Sequence, residues 1–103
     1  MAEVILTAKA KRQIQEIAEY IERDSPLYAK RVIHKIIVTV RRLKSFPEMG
    51  AVVPEFREQG IRELLVFQYR IFYRINESTQ SIHVLAIVHG RRQIDGSFID
   101  DID

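Results

Sequence analysis

Five arginines crowd the stretch from Ile61 to Arg92: Arg62, Arg70, Arg74, Arg91 and Arg92. They sit among three apolar, β-rich runs, and a sheet core has little use for so many charges. A guanidinium stays charged at any physiological pH. It presents a planar fork of donors that fits the oxygens of a phosphate or a carboxylate. The pattern predicts a cationic sheet surface facing an acidic partner. Two histidines, His83 and His89, share the stretch and could move protons. Histidines in apolar strands are more often structural, and Arg62 beside Glu63 could be an exposed ion pair of small energy. His34 lies far away in sequence. The three histidines have no metal-ligand spacing, so neither a metal nor another cofactor is expected.

Composition narrows the setting for this chemistry. A chain of 103 residues with 47% hydrophobic content suits one domain with a single core. No apolar run is long enough to cross a membrane as a helix, so no membrane partner is expected. The N-terminal MAEVILTAKAK lacks the architecture of a signal peptide. The absence of Cys excludes a disulfide framework and thiolate metal sites, and fits a cytoplasmic protein. The net charge of +2 is uneven along the chain. Asp95, Asp100, Asp101 and Asp103 form an acidic tail over 93–103, and residues 1–94 hold 16 bases against 10 acids. A basic body of this kind favours an anionic partner and is compatible with weak, salt-sensitive binding of nucleic acid. The expected organisation is one domain over 1–92 followed by the tail. The tail is either free or folded back on the basic surface as a counter-charge.

The elements that carry these groups follow from periodicity. Glu3–Thr7 reads as a strand, and Thr7 can cap a helix. Ile14, Ile17, Ala18 and Ile21 recur at helical spacing, predicting a helix over about 8–23. Ser25-Pro26 is a cap followed by a first-turn proline. A second helix runs from there to about Ser45, with Ala29, Val32, Ile33, Ile36, Val40 and Leu43 facing inward. Phe46-Pro47 ends it. The two helices should form an antiparallel hairpin. Pro47–Gly60 is a connector in which Val52, Val53 and Phe56 could pack back. Ile61–Phe67 and Tyr69–Asn76 form a tight β-hairpin, although its turn near Gln68 lacks the Asn-Gly usual there. Ile82–His89 is the most apolar strand and should lie inside the sheet.

Alternation along the strands assigns faces. Tyr69, Ile71, Tyr73 and Ile75 share one face, which should meet the helices. Arg70, Phe72 and Arg74 share the other, an exposed aromatic flanked by two cations. By the same rule His83, Leu85, Ile87 and His89 point one way.

The ordered set of a helix, Ser-Pro-x-x-Ala, a second helix, Phe-Pro-x-x-Gly, then I-R-E-L-x-V, Y-R-I-F-Y-R-I and I-x-V-L-x-I-V-H-G-R-R resembles the ParE/RelE superfamily of toxins from type II toxin–antitoxin systems. The likeness spans about residues 4–92. It implies an α+β fold of order β-α-α-β-β-β, a helical hairpin packed on an antiparallel sheet. It also implies an acidic cognate antitoxin that folds around the toxin. Such coupled folding suits a basic surface flanked by apolar grooves.

The two branches of this superfamily imply different chemistry. RelE-like members resemble ribosome-dependent endoribonucleases, in which a 2′-hydroxyl attacks the neighbouring phosphate. That needs a base, an acid and cations for the developing charge. Under this resemblance Arg62, Arg70, Arg74 and Arg91 would supply cations and His89 a proton-transfer group, with Glu63 and His83 as further candidates. The C-terminal tyrosine of that branch is missing, since no Tyr follows Tyr73 and the tail has Phe98 instead. ParE-like members resemble poisons of DNA gyrase that bind rather than catalyse. The ending Ile87-Val88-His89-Gly90-Arg91-Arg92 is closer to them. Arg70, Phe72, Arg74, Arg91 and Arg92 would then contact the target or the antitoxin. The expected function is a ParE-like growth inhibitor acting on gyrase, with messenger cleavage on the ribosome as the alternative.

Overall fold

Both helices begin where the sequence places a capping side chain. The computed structural model describes residues 3–92, 94 and 96. The elements are β1 (Glu3–Leu6), α1 (Ala8–Glu22), α2 (Pro26–Arg42), β2 (Ala51–Val52), a 3₁₀ segment over Pro54–Gln59, β3 (Ile61–Val66), β4 (Tyr69–Asn76) and β5 (Ser81–His89). Thr7 Oγ1 accepts a bond from the Ala10 N–H, and Ser25 Oγ accepts one from the Tyr28 N–H. Thr7 is fully buried, and its hydroxyl also donates to the Val84 carbonyl at 2.9 Å. The cap of α1 is thereby tied to β5.

The fold is α+β, with two helices on a five-stranded sheet of order β1-β5-β4-β3-β2. The expectation of a wholly antiparallel sheet needs correction, because β1 pairs with β5 in parallel. The reason is topological. The helical hairpin carries the chain from β1 to the far edge. β2 to β5 then return by antiparallel steps, and β5 arrives beside β1 running the same way. β2 is a strand that periodicity missed, since two residues are too few to show any. β1 covers β5 only as far as Val84. Beyond it, Gln13 of α1 reaches the open edge and its Oε1 accepts the Ile87 N–H at 2.7 Å.

The main core lies between helices and sheet. Val32, Ile36 and Val40 from α2 and Ala10 and Ile21 from α1 meet Ile71, Tyr73, Ile82 and Val84. A second core sits on the opposite face of the sheet. There Phe72, Leu85, Ala86 and Val88 are covered by Ile61 and Val53, with Phe56 and Ile94 packed against them. The connector therefore packs back through Val53 and Phe56, as its apolar residues suggest. Val52 stays exposed.

The pairing of β4 with β5 slips by one residue between Phe72 and Tyr73. Phe72 faces Ala86, Tyr73 faces Val84, and Leu85 is the extra residue of a bulge. This breaks the alternation of β5. Val84 and Ile87 join the helix-side core, while Leu85 and Ala86 both join the outer one.

The β3–β4 hairpin closes through Phe67-Gln68, with Phe67 at φ +53°. A bulky residue rarely adopts this left-handed conformation. Here the Phe67 ring packs against Tyr28 with centroids 6.3 Å apart, and the Gln68 carbonyl accepts the Gly90 N–H at 2.7 Å.

Candidate functional site

The five arginines do not form one surface. Arg62 pairs across β3–β4 with Tyr73, which places it on the helix side of the sheet. Its guanidinium is committed to structure, donating to the Gly50 carbonyl at 2.7 Å and to the Glu48 carbonyl at 3.3 Å. Tyr73 grips the same loop from β4. Its hydroxyl accepts the Gly50 N–H at 2.9 Å and donates to the Pro47 carbonyl at 2.8 Å. Together they latch residues 47–50 onto the sheet, so Arg62 does not join Arg70 and Arg74.

Burial raises the Tyr73 phenol above its ordinary value of 10.0, with the Glu48 carboxylate acting the same way against the Gly50 bond and Arg62. The folded state thus holds this proton more tightly than the unfolded chain does. The contribution is intact below pH 10 and is lost as pH rises through the raised folded value. In an alkaline titration of unfolding free energy, Tyr73→Phe should decline less steeply above pH 10 than wild type. Parallel curves would remove Tyr73 as a cause.

Arg70 and Arg74 lie on the outer face, as alternation predicts, but between them Phe72 is fully buried. The expectation that Phe72 is an exposed contact is therefore wrong. The connector, invisible to strand alternation, covers it. Arg70 Nε donates to Glu63 Oε1 at 2.8 Å, and its guanidinium stands 4.7 Å from the centroid of the Phe72 ring. Both partners of the ion pair are about one-fifth exposed. Glu63 and Arg70 thus form an ion pair with each other on the outer face. Arg74 is half-buried and faces His83 on β5. The two help to line a polar depression of about 350 Å³ with Asn76, Glu77 and Ser78. His83 Nε2 is 3.2 Å from Ser81 Oγ, while its Nδ1 is buried without a partner.

His83 and His89 point to opposite faces, against the shared face that alternation predicts. The bulge at Leu85 separates them and inverts the facing of everything after it. His89 is exposed and sits edge-on to Tyr69, with ring centroids 5.8 Å apart. Its Nδ1 accepts the Arg91 N–H at 3.2 Å. His89, Arg92, Tyr69 and Tyr20 line a groove of about 430 Å³ that also touches Glu16 and Ile17 of α1. Burial, then the neighbouring Tyr28 and Tyr20, raise the Tyr69 phenol. Arg91 and Arg92 are both exposed where β5 ends. Sequence reasoning anticipated these arginines but missed the aromatic wall, because Tyr20 belongs to a helix distant in sequence.

The candidates therefore divide among three places: the Arg62 latch, the outer face with Arg70, Arg74 and His83, and the β5 terminus with His89, Arg91 and Arg92. Among the described residues no three His, Cys, Asp or Glu side chains converge on a metal site. No helix among them is long and apolar enough to cross a membrane. Of the acidic tail only Ile94 and Gly96 are described, so its folding over a basic face lies outside the described residues.

Comparison with known proteins matches this arrangement. Residues 4–94 match the family described as ParE toxin of type II toxin–antitoxin system, parDE. The chain is 34% identical over 89 residues to a toxin named Y4kP from Sinorhizobium fredii, covering 84% of this chain and 86% of that protein. It is 30% identical over 93 residues to Toxin RelE2 of Caulobacter vibrioides, covering 89% and 99% respectively. Among solved structures, a chain of the chromosomal ParDE system of P. aeruginosa superimposes with a TM-score of 0.69 at 22% identity, covering 86% of this chain and 96% of that one. A chain of the RelBE2 complex of Mycobacterium tuberculosis gives 0.64 at 21%, covering 85% and 96%. At those identities the structural likeness speaks for the fold.

Proposed function

The chain belongs to the ParE toxin family of type II toxin–antitoxin systems, and from that premise we propose that it inhibits growth by binding DNA gyrase rather than by cleaving RNA. The observation that carries this reading is the dispersal of the candidate catalytic groups. Cleavage by an internal hydroxyl needs a base, an acid and a cation around one phosphate. Here Arg62 is tied to a loop, Glu63 is spent on Arg70, and His83 and His89 occupy opposite faces. The β5 terminus offers what binding needs: two exposed arginines beside an aromatic groove. A cognate acidic antitoxin would neutralise the toxin by covering such a surface, as expected for a member of this family.

The test is gyrase supercoiling with purified protein. Wild type should inhibit supercoiling and accumulate cleaved DNA. Arg91→Ala/Arg92→Ala should weaken inhibition at least tenfold while melting like wild type. Full supercoiling at excess toxin would sink the gyrase reading.

One observation favours the ribosomal alternative. Arg74 and His83 pair across β4–β5 and adjoin in a polar depression. Transcripts cut only when ribosomes are present, and spared by His83→Ala, would establish it.

A further inference from the structure

The positive charge of this protein is concentrated on one helix. From Pro26 to Ser45 the sequence holds Lys30, Arg31, Lys35, Arg41, Arg42 and Lys44 and no Asp or Glu. These six are the whole excess of the first 94 residues, since the rest of that stretch holds 10 bases and 10 acids. Of the sheet arginines Arg70 is paired with Glu63, and the excess positive charge of the protein belongs to α2 and the turn after it.

The six cations are exposed. They lie away from the buried stripe of Ala29, Val32, Ile36 and Val40. Arg31, Lys35 and Arg42 fall within about 40° of one another around the helix axis, at about 100° per residue. They form a row about 16 Å long, at about 1.5 Å per residue. His34 and Arg41 flank it and are exposed as well. None of the six is ion-paired among the described residues. Holding six like charges along about four turns costs free energy, which an anionic ligand of matching length would recover.

We infer that the exposed face of α2 is a docking surface for the phosphate backbone of duplex DNA. Three features choose this ligand. The row spans about five phosphates of one strand, at about 3.4 Å per nucleotide along the duplex axis. From Lys30 to Ser45 there is no Phe, Tyr or Trp, so the row lacks the large rings on which single strands stack. The large apolar residues of α2 are also half-buried or lie at its N-terminal end, so along the row itself an amphipathic acidic peptide would meet few exposed apolar anchors. The inference does not depend on gyrase as the target, because bare DNA suffices to test it.

The experiment is fluorescence anisotropy of the full chain with a labelled duplex of about 20 base pairs, titrated across salt concentration. The test variant is Arg31→Gln/Lys35→Gln/Arg42→Gln. A charge-matched control, Lys11→Gln/Arg12→Gln/Arg57→Gln, alters exposed cations elsewhere. Circular dichroism melts confirm that both variants fold, and the single variant Lys35→Gln substitutes if the triple variant does not. Removing three phosphate contacts should reduce the slope of log K against log salt by about 2.7, at about 0.9 per contact, and weaken binding at least tenfold near 100 mM salt. The control should keep the wild-type slope within about one unit. Equal losses in both variants would overturn the proposal, because bulk charge would then explain the binding. So would absence of binding by wild type. So would poly-glutamate displacing the duplex at equal charge concentration, which would assign the face to acidic polypeptide.

Discussion

Phe72→Ala is expected to lower the unfolding free energy by about 3–5 kcal/mol, the range for deleting a buried aromatic ring. For a domain of this size that shifts the melting temperature down by more than about 12 °C. Phe72 is fully buried on the outer face of the sheet, packed with Val53, Ile61, Leu85 and Ala86. Truncation opens a cavity at the centre of this second core. Neighbouring strands cannot collapse into it, because β4 is hydrogen-bonded to β3 and β5 on its two sides. The same change removes the ring beneath the Arg70 guanidinium and loosens its pair with Glu63. Phe72→Leu should recover most of the loss. Urea denaturation of the three proteins measures this. A Phe72→Ala variant of wild-type stability with weakened partner binding would restore Phe72 to the surface and refute the second core.

Gly50→Ala is the other substitution with a large expected effect, about 2–3 kcal/mol of destabilisation from forced overpacking. A Cβ built on Gly50 would stand 2.6 Å from the Tyr73 hydroxyl, 2.7 Å from its Cε1 and 2.8 Å from the Glu63 carbonyl. Neither neighbour can give way easily. The Tyr73 ring is fully buried and its hydroxyl is held by Pro47, while the Glu63 carbonyl is backbone of a central hairpin. The loop must move instead, and it then loses the bonds from Tyr73 and Arg62. A double-mutant cycle checks the mechanism. Tyr73→Phe alone leaves the buried Gly50 N–H without its acceptor, a cost of about 1–3 kcal/mol. In the Gly50→Ala background that bond is already broken, so the second change should cost much less. Strict additivity would show that the latch is not the cause, and a Gly50→Ala protein as stable as wild type would remove the clash altogether.

These two sites show how close readings of alternation can err. Phe72 lies between two arginines on a face opposite the helices, and alternation alone makes it exposed. Its burial is decided by Val53 and Phe56 from a connector whose path no local pattern encodes. Alternation places Tyr73 on the core face, where it is fully buried. Nothing in its neighbours announces that its hydroxyl crosses to residues 47 and 50.

For binding, the same contrast separates types of arginine. Arg91 and Arg92 follow the last strand residue and are exposed, as their position implies. Arg62 and Arg70 lie within strands, where one holds loop carbonyls and the other a glutamate. A guanidinium finds whichever oxygen the fold brings near.

Features legible from residue types are local. The caps at Thr7 and Ser25, the amphipathic helices, the three long strands and the proline-rich connector follow from side-chain periodicity and backbone chemistry over a few residues. The acid-free run from Pro26 to Ser45 was equally open to inspection, because charge is a property of composition. Tertiary structure alone decided the parallel pairing of β1 with β5, the two-residue β2, the burial of Phe72 and the opposed histidines. Each depends on residues far apart in sequence. The bulge at Leu85 makes the reason concrete: strand faces alternate with period two, so one extra residue reverses every side chain beyond it. Phe72, Leu85 and Ala86 share the outer core, which exists only once the sheet has formed.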